Sequence, residues 1–79
     1  MRVDQDALGL VPMECWVMWR AAPIANSARE VRIVMHHPRD HFLLQEIEKK
    51  LGKNVRVWPN PMLHEQIDHL LRGDKLATK

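Results

Sequence analysis

Apolar and polar positions alternate along the chain with two periods, and the switches between them divide it into six elements. Over 11–19 the chain is predicted to be helical. Pro12 suits a first helical turn, where its missing N–H costs nothing, and Glu14 favours the positive end of the helix dipole. Cys15, Trp16 and Trp19 share one face, and Met13 and Val17 lie on another flank, so this helix is apolar nearly all round. Residues 20–27 are predicted as a short extended segment. Pro23 favours an edge position or a strand end, and Asn26-Ser27 supplies turn chemistry. Over 29–36, Val31, Ile33 and Met35 alternate with Arg32 and Val34, the pattern of a strand that forms a hairpin with the segment before it. His37-Pro38 ends that strand.

Asp40 is the predicted N-cap of a second helix running to about Leu51. Its stripe is Leu43, Leu44, Ile47 and Leu51, with Lys49 and Lys50 at the negative end and Gly52 just beyond. Residues 53–58 read as a third strand, with Val55 and Val57 on one face and Trp58 on the other, stopped by Pro59. Asn60 is the predicted cap of a last helix, with Pro61 in its first turn, Leu63, Ile67, Leu70 and Leu71 buried, and Gly73 ending it. Residues 1–10 are expected to be a flexible lead-in, 11–73 the single domain and 74–79 a loose tail. The order α-β-β-α-β-α gives a small mixed three-stranded sheet with helices packed on it, an α+β fold.

Length limits what such a chain can be. Seventy-nine residues make one small domain. It buries only about 60–65% of its unfolded surface, so its stability is expected to be marginal. With 46% apolar and 28% charged residues, it is neither low-complexity nor disordered in composition. Twelve Lys+Arg against ten Asp+Glu leave a charge of +2, interspersed in sign, without the concentrated basic face of a nucleic-acid binder. The lone Cys15 allows no internal disulfide. No apolar stretch reaches the roughly 18 residues of a membrane span. The first residues lack the apolar run of a secretion signal. A cytoplasmic location and no direct membrane insertion are the expectation.

Candidate chemistry is sparse. Neither G-x-x-x-x-G-K-[ST] nor G-x-G-x-x-G occurs, so no ATP-hydrolysing site is expected. His37 and His41 are four apart, but Pro38 holds His37 extended, which removes the helical geometry of a zinc pair. His64 and His69, five apart, do not share one helical face. Exposed or capping roles are expected for the histidines, with no metal and no cofactor. Cys15 lies in an apolar run and is expected to pack as a small hydrophobe. No catalytic residue is expected. The three tryptophans are read first as core, with Trp58 beside Arg56 as the one aromatic placed to stack on a ligand.

Two surfaces remain as candidates. The first helix has more apolar positions than one buried stripe needs, so Met13, Val17 and Met18, rimmed by Arg20, form a candidate partner-binding flank. The alternative is a nucleotide or cyclic-dinucleotide site at Arg29, Arg32, Arg56 and Trp58.

The punctuation also resembles a known module. Leu10-Val11-Pro12, then Pro23-Ile24 after about ten residues, is similar to the "hydrophobic-Pro…Leu-Pro-Leu" opening of the N-terminal domain of type II secretion and type IV pilus assembly ATPases. Val31–Met35 with His37-Pro38-Arg39-Asp40 resembles that family's strand and "Asp-Pro-x-Asp" turn. Leu44, Ile47, Leu51-Gly52 and Val55 match its next helix, glycine and strand, and Asn60 to Leu71 its last helix. The likeness covers roughly residues 10–72. The same module is similar to one attached to some membrane glycosyltransferases and phage-receptor proteins. The resemblance implies a bacterial, non-catalytic adaptor between a motor and a membrane-associated component. The apolar first helix is the expected contact, docking that component or a second copy with Arg20 and Arg39 as rim charges, and the scattered charges give no expectation of a nucleic-acid partner. Two departures stand out. His37 replaces the family's first Asp. The family's cyclic-di-GMP segment is an upstream Arg-Leu-Gly motif with repeating Leu, which residues 1–10 do not contain. The resemblance therefore does not extend to nucleotide binding.

Overall fold

A computed structural model of the chain describes residues 2–72. Among these residues, four helices accompany a three-stranded mixed sheet in the order β1-β2-β3. The elements are α1 (Gln5–Leu8), α2 (Met13–Trp19), β1 (Ala21–Asn26), β2 (Glu30–Met35), α3 (His41–Leu51), β3 (Asn54–Val57) and α4 (His64–Leu71). From α2 onward this is the expected α-β-β-α-β-α sequence of an α+β fold.

Helix α1 falls in the stretch expected to be a flexible lead-in. Asp4 Oδ1 accepts the Ala7 N–H at 3.0 Å, a side-chain cap that satisfies one of the first orphan amides. Ala7 is fully buried, and the Asp4 N–H donates to the Pro23 carbonyl at 2.9 Å. The segment therefore packs along the outer edge of β1. With one buried alanine and no apolar stripe, it left no periodic trace in the sequence. Gly73 and the tail at 74–79 lie outside the described residues.

Helix α2 begins after Pro12, which sits in the N-cap position, and ends at Arg20 with φ 54°. That left-handed residue turns the chain directly into β1. Strands β1 and β2 pair antiparallel, with a bulge between Pro23 and Ala25 that leaves Ile24 unpaired. The hairpin closes where the Ser27 N–H donates to the Glu30 carbonyl at 2.8 Å and the Ser27 hydroxyl accepts the Glu30 N–H at 3.2 Å. Asp40 caps α3 as expected, its Oδ1 accepting the Leu43 N–H at 3.0 Å. Gly52 ends α3 at φ 71°, where a side chain would be strained. Strand β3 then runs parallel to β2, pairing Val31 with Val55, Arg32 with Arg56 and Ile33 with Val57.

The last helix starts later than Asn60. The Trp58 N–H donates to the Ile33 carbonyl at 2.8 Å and the Met62 N–H to the Met35 carbonyl at 3.0 Å, so residues 58–62 follow the end of β2, with a bend at Pro59 and Asn60, before the helix begins. Leu63 takes the N-cap position, its N–H held by Gln66 Oε1 at 3.2 Å. It is therefore 63% exposed rather than buried as expected, and half-buried Met62 packs against the core beside it.

Trp16 and Trp19 lie in the core with Val31, Ile33, Val34, Met35, Ile47 and Ile67. The two indoles meet edge to face, 5.3 Å between centroids at 90°. Trp16 Nε1 donates to the Leu8 carbonyl at 3.1 Å, which pins α1 to α2. Trp19 Nε1 is buried without a partner among the described residues. Ile47 is the buried anchor of α3, while Leu43, Leu44 and Leu51 are half-buried.

Candidate functional site

The first candidate surface is the outer half of α2. Seven residues turn through about two helical turns, so Trp16 and Trp19 inside leave Met13, Val17 and Met18 outside. Their exposures are 42%, 47% and 67%, with Leu10 at 41% beside them. Leucine, methionine and valine that stay wet in a domain this small give α2 an outer face with more apolar surface than folding needs. Arg20, also exposed, stands at its end, with its backbone N–H held by the Val17 carbonyl at 3.2 Å. Glu14, in the first turn, falls between Val17 and Met18 around the helix. Sequence spacing anticipated this flank, though not the left-handed backbone at Arg20, which carries none of the glycine signal that usually marks it.

The second surface lies on the sheet. Strand register sets Arg32 and Arg56 opposite each other, both exposed. With Ile24, Val57, Trp58 and Pro59 they line a cleft of about 210 Å³. Residues two apart on a strand share a face, so Trp58 stands on the same side as Arg56. Arg56 Nε lies 2.8 Å from Glu30 Oε2, whereas Arg32 has no ion pair among the described residues. The bulge at Ile24 supplies the apolar wall. Of the four residues read as one ligand set, the fold brings Arg32, Arg56 and Trp58 together. Arg29 instead lines a separate polar depression with Glu48, Lys49 and Lys53.

The histidines divide differently from their sequence spacing. His36 Nδ1 donates to the Met62 carbonyl at 3.0 Å, a strap between β2 and the segment before α4, so its role is neither exposed nor capping. Its ring is 4.4 Å from that of His37 and 6.3 Å from that of His64. His64 Nε2 is 3.9 Å from Asp68 Oδ2. Among the described residues, no group of three or more His, Cys, Asp or Glu is arranged to hold a metal ion. No described helix is long and apolar enough to cross a membrane. Cys15 is half-buried on α2.

The element order and the mixed sheet fit the resemblance to the N-terminal domain of secretion and pilus-assembly ATPases. The MshEN domain model matches residues 1–74, and the chain belongs to the MshEN domain family, a non-catalytic N-terminal domain. A solved structure described as MshE with cdg superposes with a TM-score of 0.75 at 26% identity. The match covers 91% of this chain and 51% of that one, so the chain spans about half the length of its structural relative. No curated protein matches the chain in sequence.

Proposed function

We propose that this domain is a docking module of a secretion or pilus-assembly machine, working in the cytoplasm and binding a protein partner through the outer flank of α2. The observation that carries the reading is the exposure of Met13, Val17 and Met18 on a helix whose inner face is fully buried. Burying a half-exposed Met or Val in an interface is worth about 1 kcal/mol each, half of a full burial. Three such side chains with Leu10 supply the apolar part of the contact, Glu14 between Val17 and Met18 offers a polar group within it, and Arg20 stands at its rim. Methionine's flexible thioether suits a surface that must adapt to its partner. A Met13→Glu/Val17→Glu double variant tests this. The fold is expected to survive, since neither side chain belongs to the buried set, while association with a secretion or pilus component, or with a second copy, falls at least tenfold. Undiminished association would end the proposal.

A second reading is a cyclic-dinucleotide sensor, and two observations favour it. The relative of 26% identity is described as MshE with cdg. Arg32, Arg56 and Trp58 converge on one cleft, which offers guanidinium forks for a phosphodiester and an indole face for a base. At about 210 Å³ the cleft is below the usual range of ligand pockets, so it would hold one end of such a ligand. Titration with cyclic di-GMP should then quench the fluorescence of Trp58, the exposed tryptophan, and the response should vanish in Trp58→Phe. A quench that persists in Trp58→Phe, or none at all, rejects this reading.

A further inference from the structure

Strand β3 is the last strand of the sheet. Its backbone hydrogen bonds alternate. The Asn54 N–H donates inward to the Arg29 carbonyl at 3.2 Å and the Trp58 N–H inward to the Ile33 carbonyl at 2.8 Å. Val55 and Val57, between them in register, therefore turn their amide and carbonyl groups away from β2. The outward position at Val55 is already used: its N–H donates to Glu48 Oε2 at 3.2 Å. A carboxylate from the same chain thus blunts one end of the edge. The Val57 N–H and both valine carbonyls face outward with no strand beyond them.

The charges beside this edge are divided along it: the Glu48 carboxylate stands at Val55, and arginines stand on the exposed face. Arg56 stands on β3 itself and Arg32 opposite it on β2. Like charges directly opposed on neighbouring strands are unfavourable. Glu30 answers Arg56 on the inner side, and Arg32 has no ion pair among the described residues. A strand added outside β3 brings its own side chains level with Arg56. In the antiparallel register that uses both valines, a second copy would set Arg56 against Arg56. An acidic side chain at that level relieves the repulsion instead.

We propose that the β3 edge is a strand-addition site for an extended acidic segment of a partner protein. The Val57 N–H and the carbonyls of Val55 and Val57 pair with its backbone, and a Glu or Asp of the added strand lies against Arg56. Main-chain pairing supplies the affinity and the arginine pair sets the charge preference. This surface is separate from the α2 flank and does not depend on it.

The test uses the whole chain, with an extended peptide alternating valine and glutamate and a lysine counterpart as probes. Amide hydrogen exchange is read residue by residue. Without peptide, Val57 is expected to exchange freely while Arg56 and Trp58 are protected. Saturating glutamate peptide is expected to slow Val57 at least tenfold. The lysine peptide and a backbone N-methylated glutamate peptide should not, and Arg56→Glu should reverse the charge preference. The Met13→Glu/Val17→Glu variant should bind the peptide as the wild type does. Three results overturn the proposal: Val57 protected without peptide in a concentration-dependent way, which makes a second copy the occupant; equal binding of the N-methylated peptide, which reduces the site to a charge patch; or indifference to the sign of the peptide.

Discussion

The Lys53 ammonium lies 2.8 Å from Asn26 Oδ1 and 2.9 Å from the Ser27 carbonyl. One side chain at the entrance to β3 thereby fixes the far turn of the β1–β2 hairpin, 26 and 27 residues back along the chain. The contact joins the two halves of the sheet, a local hairpin and a distant parallel strand.

Lys53→Met should therefore destabilise the fold. Hydrogen bonds to a charged donor contribute roughly 1.5–3 kcal/mol when buried. Here they are partly exposed, and about 1 kcal/mol is expected. Urea unfolding should show a lower midpoint with an unchanged slope, because the surface exposed on unfolding is the same.

Trp16→Phe keeps most of the buried ring and removes the N–H held by the Leu8 carbonyl. A loss of about 1–2 kcal/mol is expected from the missing bond, the orphaned carbonyl and the smaller ring. The damage should be local first. Limited proteolysis should cut within residues 2–10 before the rest of the domain opens.

Two left-handed residues should respond in opposite directions. Gly52→Ala puts a side chain at φ 71° with nothing within 4 Å to clash, so it isolates the backbone term. About 1 kcal/mol of destabilisation is expected. Arg20 already bears that strain at φ 54°, and Arg20→Gly should leave stability unchanged or raise it by less than about 1 kcal/mol. Thermal midpoints check both, each kcal/mol moving a domain of this size by about 4–8 °C.

Helix α3 offers a contrast within two turns. Ile47 is fully buried and Phe42 is 86% exposed. Ile47→Ala should cost about 3 kcal/mol, a large share of a small domain's total. Phe42→Gln should change stability by no more than about 0.5 kcal/mol. Chemical denaturation of the two variants side by side decides it.

The elements that could be read in advance are those with a period. Alternation at Val31, Ile33 and Met35 and the stripe ending at Leu51-Gly52 marked β2 and α3 because burial repeats every two or 3.6 residues there. Helix α1 has one turn and one buried residue, so no period exists to find. The start of α4 was misplaced because Asn60-Pro61 carries cap chemistry, whereas the Met62 N–H is claimed by the Met35 carbonyl, a partner far off in sequence. At the sites, the α2 flank was legible from helical spacing alone. The Arg32–Arg56 cleft needed the strand register, which sequence does not state, and Arg29, ahead of the first paired residue, lines a different depression.

The two margins of the sheet are unlike. Along β1, Pro23 has no amide hydrogen to offer and its carbonyl is taken by Asp4. Strand pairing at the β1 margin is thus blocked at Pro23, whereas the β3 margin keeps the Val57 amide and the two valine carbonyls turned outward. A proline and a borrowed carbonyl at one margin make the sheet asymmetric towards any extended chain that meets it.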